Sequence, residues 1–188
     1  GAEIEAAKKI GIRFQPCRGS MDLSEEEGGL PCASITQSVE EIIRDSERLI
    51  TKYHDRSFGA MMRISLGPCS LPGVTPTLMK ETANLARKFG VRLHTHLGGI
   101  PGERRLCQER FGLDPLDYAE EMGWLERDVW IAHGVHFQDS EIARLARAGV
   151  AIAHCPSSNM RLGDGIAPIV AMRKQGVPVG LGVDGSAS

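Results

Sequence analysis

The run Lys88-Phe89-Gly90-Val91-Arg92-Leu93-His94-Thr95-His96-Leu97 decides how the rest of the chain is read. An amphipathic stretch carrying Leu78, Leu85 and Phe89 ends at Gly90, and a short alternating run follows it. Period-two side chains place Arg92, His94 and His96 on one face and Leu93, Thr95 and Leu97 on the other. Two imidazoles on one face of an apolar strand are costly unless something uses them.

The same punctuation recurs along the chain. Lys9-Ile10-Gly11 precedes Ile12-Arg13-Phe14, Arg147-Ala148-Gly149 precedes Val150-Ala151-Ile152, and Lys174-Gln175-Gly176 precedes Val177-Pro178-Val179. Each reads as a cation in a last helical turn, a glycine in the left-handed position, then a buried strand. Repeated helix, tight turn and strand mean βα units and a parallel sheet. Strands are expected near residues 12–17, 60–67, 91–97, 129–133, 150–154 and 178–183. Val39, Ile42, Ile43, Ile50 and Tyr53 share a helical face, Thr75 before Pro76 is a helix start, and another helix opens at Asp139. The segment from Gly19 to Gln37 has no periodicity and reads as a solvated loop or an active-site flap. Trp124, Trp130 and the methionines read as core.

The 188 residues carry a formal net charge of −2 with both signs mixed, which gives no basic field for nucleic acid. No apolar run is long enough to span a bilayer, and the opening Gly-Ala-Glu-Ile does not read as a basic-then-apolar leader. The five cysteines (Cys17, Cys32, Cys69, Cys107, Cys155) have no C-x-x-C spacing, which fits reduced thiols in a cytoplasmic protein.

Polar chemistry follows each expected strand. The first ends in Cys17-Arg18-Gly19-Ser20, the second in Pro68-Cys69-Ser70, the third in His94 and His96. The fourth ends in His133-Gly134-Val135-His136, the fifth in His154-Cys155-Pro156 and the sixth in Asp184-Gly185. In parallel α/β folds, side chains at the carboxyl ends of strands meet at one mouth. A single such histidine reads as a satisfied core group, but several on one rim with Asp184 read as a metal site. Imidazole and carboxylate suit a zinc-class ion that activates water. Arg18 is a candidate for a bidentate contact to a planar polar substrate, or else a surface ion pair. Gly182 and Gly185 read equally as close packing.

The strings His94-Thr95-His96-Leu97, Ala132-His133-Gly134-Val135-His136, His154-Cys155-Pro156-Ser157-Ser158-Asn159-Met160-Arg161-Leu162-Gly163 and Gly180-Leu181-Gly182-Val183-Asp184-Gly185-Ser186 together resemble the amidohydrolase superfamily, in its chlorohydrolase/cytosine–guanine deaminase branch. Phe14-Gln15-Pro16-Cys17-Arg18-Gly19-Ser20-Met21 and Gly67-Pro68-Cys69-Ser70 resemble the 8-oxoguanine deaminases. The resemblance implies an α/β fold, a (β/α)8 TIM-type barrel, of which this chain supplies about six βα units. The first two strands and their H-x-H ligands lie outside it, so residues 1–188 are expected to be an internal piece of one domain. It implies one divalent metal, zinc or else iron, and hydrolytic removal of an amino group from a purine-like heterocycle such as 8-oxoguanine or guanine. His96 and Asp184 match metal ligands, and Asp184 also moves the proton. His133 matches a catalytic residue that contacts substrate and water, and Arg18 and Cys69 match positions lining the substrate pocket. His154 is expected to be structural. The expected partner is a small heterocycle, with no nucleic acid or membrane, and a homo-oligomer is allowed.

One departure is chemical. The family pattern H-L-A-E carries a proton-donating glutamate three residues after the ligand histidine, where this chain has Gly99. Loss of a general acid costs about two to four powers of ten in rate. Glu103 is the nearest carboxyl in sequence, and reaching the vacant position requires the loop to be rebuilt. The alternatives are another leaving group on the same scaffold, as in triazine chlorohydrolases or adenosine-type deaminases, and a catalytically impaired or purely ligand-binding piece.

Overall fold

A computed structural model describes residues 1–185; Ser186, the last residue of the motif around Asp184, lies outside the described residues. The chain clusters into two compact units, Gly1–Pro68 with Gly73–Leu93, and Cys69–Pro72 with the chain from His94 onward.

The first unit runs through helix α1 (Ala2–Ile10), strand β1 (Cys17–Ser20), helix α2 (Val39–Tyr53), strand β2 (Ser65–Pro68) and helix α3 (Pro76–Phe89) to the start of strand β3 (Arg92–Leu97). Its strands lie in chain order and are parallel, with Cys17 beside Ser65 and Ser65 beside Arg92. The glycine punctuation forms as expected: Gly11 and Gly90 cap their helices at φ 76° and 64°, and the Thr75 hydroxyl accepts the Leu78 N–H. Leu78, Leu93, Ile42 and Leu66 form the core. β1 starts later than the expected residues 12–17. Phe14 does pair with Met62, but Pro16 has no N–H to donate, so the ladder breaks there and resumes at Cys17. The aperiodic segment after β1 is tied down where the Asp22 carboxylate accepts the Thr75 N–H at 2.8 Å and its hydroxyl at 2.5 Å.

The second unit takes the rest of β3 through helices α4 (Glu103–Phe111) and α5 (Pro115–Glu121), strand β4 (Val129–His133) and helix α6 (Asp139–Ala148). Strand β5 (Ala151–His154), helices α7 (Pro156–Leu162) and α8 (Ile169–Lys174) and strand β6 (Val179–Leu181) complete it. Its strands also follow chain order and pair in parallel, with Ile131 beside Ile152 and Ile152 beside Val179. β3 alternates as its sequence demands: Leu93, Thr95 and Leu97 are buried, whereas His94 and His96 are partly exposed and Arg92 fully so. Trp124 is fully buried, and Trp130 is half-buried with its ring stacked on His94. The fourth punctuation mark shifts by one residue, because α8 is capped by Gln175 and the left-handed Gly176 follows it. Gly182 is a packing glycine: a Cβ there would stand 2.8 Å from Cys155 Sγ. The architecture is parallel α/β built of successive βα units, as the sequence predicts. No described helix is long and apolar enough to cross a membrane.

Candidate metal centre

Three elements of the second unit end at one point. β3 presents His96, β4 ends on His133, and the segment after β6 brings Asp184. One donor atom from each lies within 4.8 Å of the other two.

The His96 ring is oriented by the chain at Cys69. Its Nδ1 lies 2.6 Å from the Cys69 carbonyl oxygen. A carbonyl only accepts, so Nδ1 carries the hydrogen and Nε2 keeps its lone pair. Nε2 stands 3.8 Å from Asp184 Oδ1. The Cys69 side chain raises the His96 imidazole most; burial opposes it, while the Cys69 carbonyl and Asp184 add to it, leaving it at about 8.

His133 and Asp184 are held in unusual backbone. Among the described residues they are the two non-glycine positions with positive φ, at 72° and 65°. Left-handed backbone costs a non-glycine residue on the order of 1–3 kcal/mol and persists where the surroundings over-determine it. The determining contacts come from the first turn of α7. Asn159 Oδ1 is 2.9 Å from His133 Nδ1, and Ser158 Oγ donates to Asp184 Oδ2 at 2.5 Å.

This geometry fits a metal. Zinc bonds of about 2.1 Å allow two donors to be at most about 4.2 Å apart, and the His96–Asp184 pair at 3.8 Å satisfies that limit. Two imidazoles and one carboxylate are also the donor types of catalytic zinc sites, which keep a further position for water or substrate. His96 and Asp184 are the residues that would hold the ion, with a His133 donor atom within 4.8 Å of both.

Arg18 belongs to the first unit, where its Nε donates to Asp45 Oδ2 at 3.1 Å and its Nη2 to Gln37 Oε1 at 2.6 Å. Cys69 touches the site through its carbonyl, and its Sγ lies 3.9 Å from His96 Nδ1. His94 has its ring 5.4 Å from that of His96 and its Nδ1 3.2 Å from the Trp130 carbonyl, and burial pushes its imidazole down to about 4. His154 ends β5, and its Nδ1 is buried without a hydrogen-bond partner. Gly99 sits against His133, and the buried Glu103 carboxyl accepts from the N–H groups of Gly98 and Gly99, while its Oε2 has no hydrogen-bond partner. Glu103 therefore braces the loop that carries Gly99.

Sequence reasoning missed Ser158 and Asn159 as supports. The available signal was two polar residues, poor helix formers both, two and three positions after the proline that starts a helix at a strand end.

Residues 2–188 match the amidohydrolase family. An 8-oxoguanine deaminase from Pseudomonas aeruginosa is 51% identical over 181 residues, covering 96% of this chain and 40% of that protein. An isoxanthopterin deaminase from an unknown prokaryotic organism is 42% identical over 98% of this chain and 39% of its own length. Among solved structures, the atrazine chlorohydrolase of Arthrobacter aurescens TC1 complexed with zinc superimposes with a TM-score of 0.93 at 40% identity, covering 98% of this chain and 41% of that one. The chain thus spans about two fifths of the length of the relatives it matches. Matched over nearly its whole length, it belongs to the amidohydrolase family.

Proposed function

We propose that the protein is a metal-dependent aminohydrolase that removes an amino group from a purine-like heterocycle, with 8-oxoguanine and guanine the first substrates to test. The carrying observation is the convergence of His96, His133 and Asp184 donor atoms within 4.8 Å. The 51% identity to an 8-oxoguanine deaminase supports the substrate class. Zinc is the proposed metal, supported by the zinc complex of the chlorohydrolase relative. Five free cysteines support a cytoplasmic location.

A bound divalent ion supplies Lewis-acid activation of water and neutralises developing negative charge. The chain's own groups manage the protons. Asp184, whose Oδ2 accepts from the Ser158 hydroxyl, is the carboxyl that takes the proton from the attacking water. The same carboxyl then delivers it to the departing amine, and ring N=C–NH2 plus water becomes ring HN–C=O plus ammonia, the second water proton ending on the ring nitrogen. His133, its Nδ1 engaged by Asn159, offers Nε2 to the water and the substrate. Arg18 and Cys69 are the proposed substrate contacts.

Gly99 favours a second reading, in which the site binds metal but lacks the acid that protonates the ring. Metal analysis with an ammonia-release assay on 8-oxoguanine and guanine separates the two. Zinc with ammonia release is expected; zinc without ammonia from either ring supports the impaired site. Chloride release from a triazine would instead move the substrate towards that of the chlorohydrolase relatives.

A further inference from the structure

Ser158 and Asn159 are 0% and 1% exposed, on the first turn of a seven-residue helix. Neither burial nor helix propensity explains a serine and an asparagine there, since both side chains favour caps and turns and are costly to bury without partners. Partners for the Ser158 hydroxyl and the Asn159 carbonyl oxygen offset that cost, although Asn159 Nδ2 has none. Asn159 meets His133 and Ser158 meets Asp184, and these are the two described non-glycine residues in left-handed backbone.

We infer that Ser158 and Asn159 are positioning residues, adjacent on α7, that together set the orientation of two members of the His96–His133–Asp184 donor group. The inference rests on the metal reading above and adds the origin of its geometry. Each positioning side chain takes the atom its partner does not need for the metal. The Asn159 carbonyl oxygen accepts from Nδ1–H of His133, which leaves the lone pair on Nε2. The Ser158 hydroxyl donates to Oδ2 of Asp184, and the other oxygen, Oδ1, is the one 3.8 Å from His96 Nε2. Because the two residues are consecutive on one helical turn, a shift of α7 moves both contacts at once. Outer partners of this kind typically contribute about 10–100-fold to metal affinity.

The test uses zinc-free protein labelled with ¹⁵N in its histidine rings, with zinc affinity then measured by chelator competition at one fixed pH. His133 is expected as the Nδ1–H tautomer in the wild type and in Asn159→Asp, whose carboxylate still accepts. Asn159→Leu is expected to lose that single tautomer and to bind zinc about 10–100-fold more weakly, and Ser158→Ala to weaken zinc similarly. Ser158→Thr and Asn159→Asp are expected to recover most of the affinity. An Nε2–H tautomer in the wild type overturns the inference, as does zinc affinity unchanged in both Asn159→Leu and Ser158→Ala. Should Asn159→Leu fail to fold, the wild-type tautomer and the Ser158 pair of variants still decide. If the wild type binds no zinc, the metal reading fails on its own, and the His133 tautomer alone decides whether Asn159 positions the ring.

Discussion

The His133 imidazole packs against the backbone of Gly99, so closely that a Cβ added to Gly99 would stand 3.0 Å from its Cδ2 and 3.1 Å from its Cγ. Any side chain at this position must displace a ring that Asn159 holds by its Nδ1. The family's glutamate therefore cannot be restored here without moving a site residue.

Gly99→Ala is expected to lower stability by about 1–2 kcal/mol through overpacking and to shift the ring resonances of His133. Gly99→Glu is expected to lose about as much stability and yet to release ammonia faster than Gly99→Ala. The difference between the two variants isolates the proton donor from the crowding. Equal rates in the two would show that the missing acid is not what limits turnover.

Glu103 gives a pH dependence with a definite sign. Burial pushes its carboxyl from 4.5 up to about 7, against the N–H groups of Gly98 and Gly99, which pull the other way. The folded protein then holds this proton over a range where the unfolded chain has released it. Stability is therefore highest below about pH 4.5 for this group, falls as pH rises from 4.5 to about 7, and stays reduced above that. The full effect is about 3 kcal/mol. His54 works in the opposite sense, because burial lowers its imidazole and stability is lost as pH falls through 6.5. Comparing Glu103→Gln with wild type cancels that contribution. The variant is expected to gain melting temperature relative to wild type between pH 5 and pH 8. An unchanged difference across that range would show that the carboxyl is ionised in the fold.

The parts that were legible in the sequence are those whose signal is local. The alternation of Arg92–Leu97, the glycine caps at Gly11, Gly90 and Gly149, and the Thr75-Pro76 start depend on residues a few positions apart. His96, His133 and Asp184 were legible because strand ends were. Their supports were not: Asn159 reaches 26 residues back to His133, and Ser158 reaches 26 residues forward to Asp184. Nor does any residue pattern announce left-handed backbone at a histidine. The start of β1 was misjudged because apolar content in residues 12–16 outweighed the missing donor of Pro16.

Arg18 separates a structural role from a substrate contact. Its guanidinium is tied to Asp45 and Gln37, and its side chain is 11% exposed. Burial raises the Asp45 carboxyl, but Arg48 and Arg18 outweigh it and hold Asp45 below the usual range. Arg18→Ala is expected to cost about 1–2 kcal/mol in urea unfolding, since it removes a charged hydrogen bond from a partly exposed pair. Arg18→Lys keeps the charge and loses the planar fork. If the guanidinium also contacts substrate as proposed, this variant raises KM about tenfold with kcat unchanged; an unchanged KM would confine Arg18 to its ion pair.

His96 and Asp184 are joined by the metal assignment, and each has a variant that tests its donor atom with little else disturbed. His96→Ala removes Nε2 together with the hydrogen bond to the Cys69 carbonyl. Asp184→Asn is the cleaner change. Asparagine tolerates the left-handed backbone that Asp184 adopts at φ 65°, and its carbonyl oxygen can still accept from Ser158. What it loses is the anion. Zinc content of purified protein is expected to fall to below about a tenth of the wild-type occupancy in His96→Ala, because a catalytic site of three protein donors loses one outright. In Asp184→Asn it is expected to fall about as far, with the melting temperature of the zinc-free protein nearly unchanged. Two variants that keep zinc at wild-type occupancy would refute the ligand assignment for both residues. Loss of zinc in His96→Ala alone would leave the cation on the two imidazoles and return Asp184 to proton transfer only.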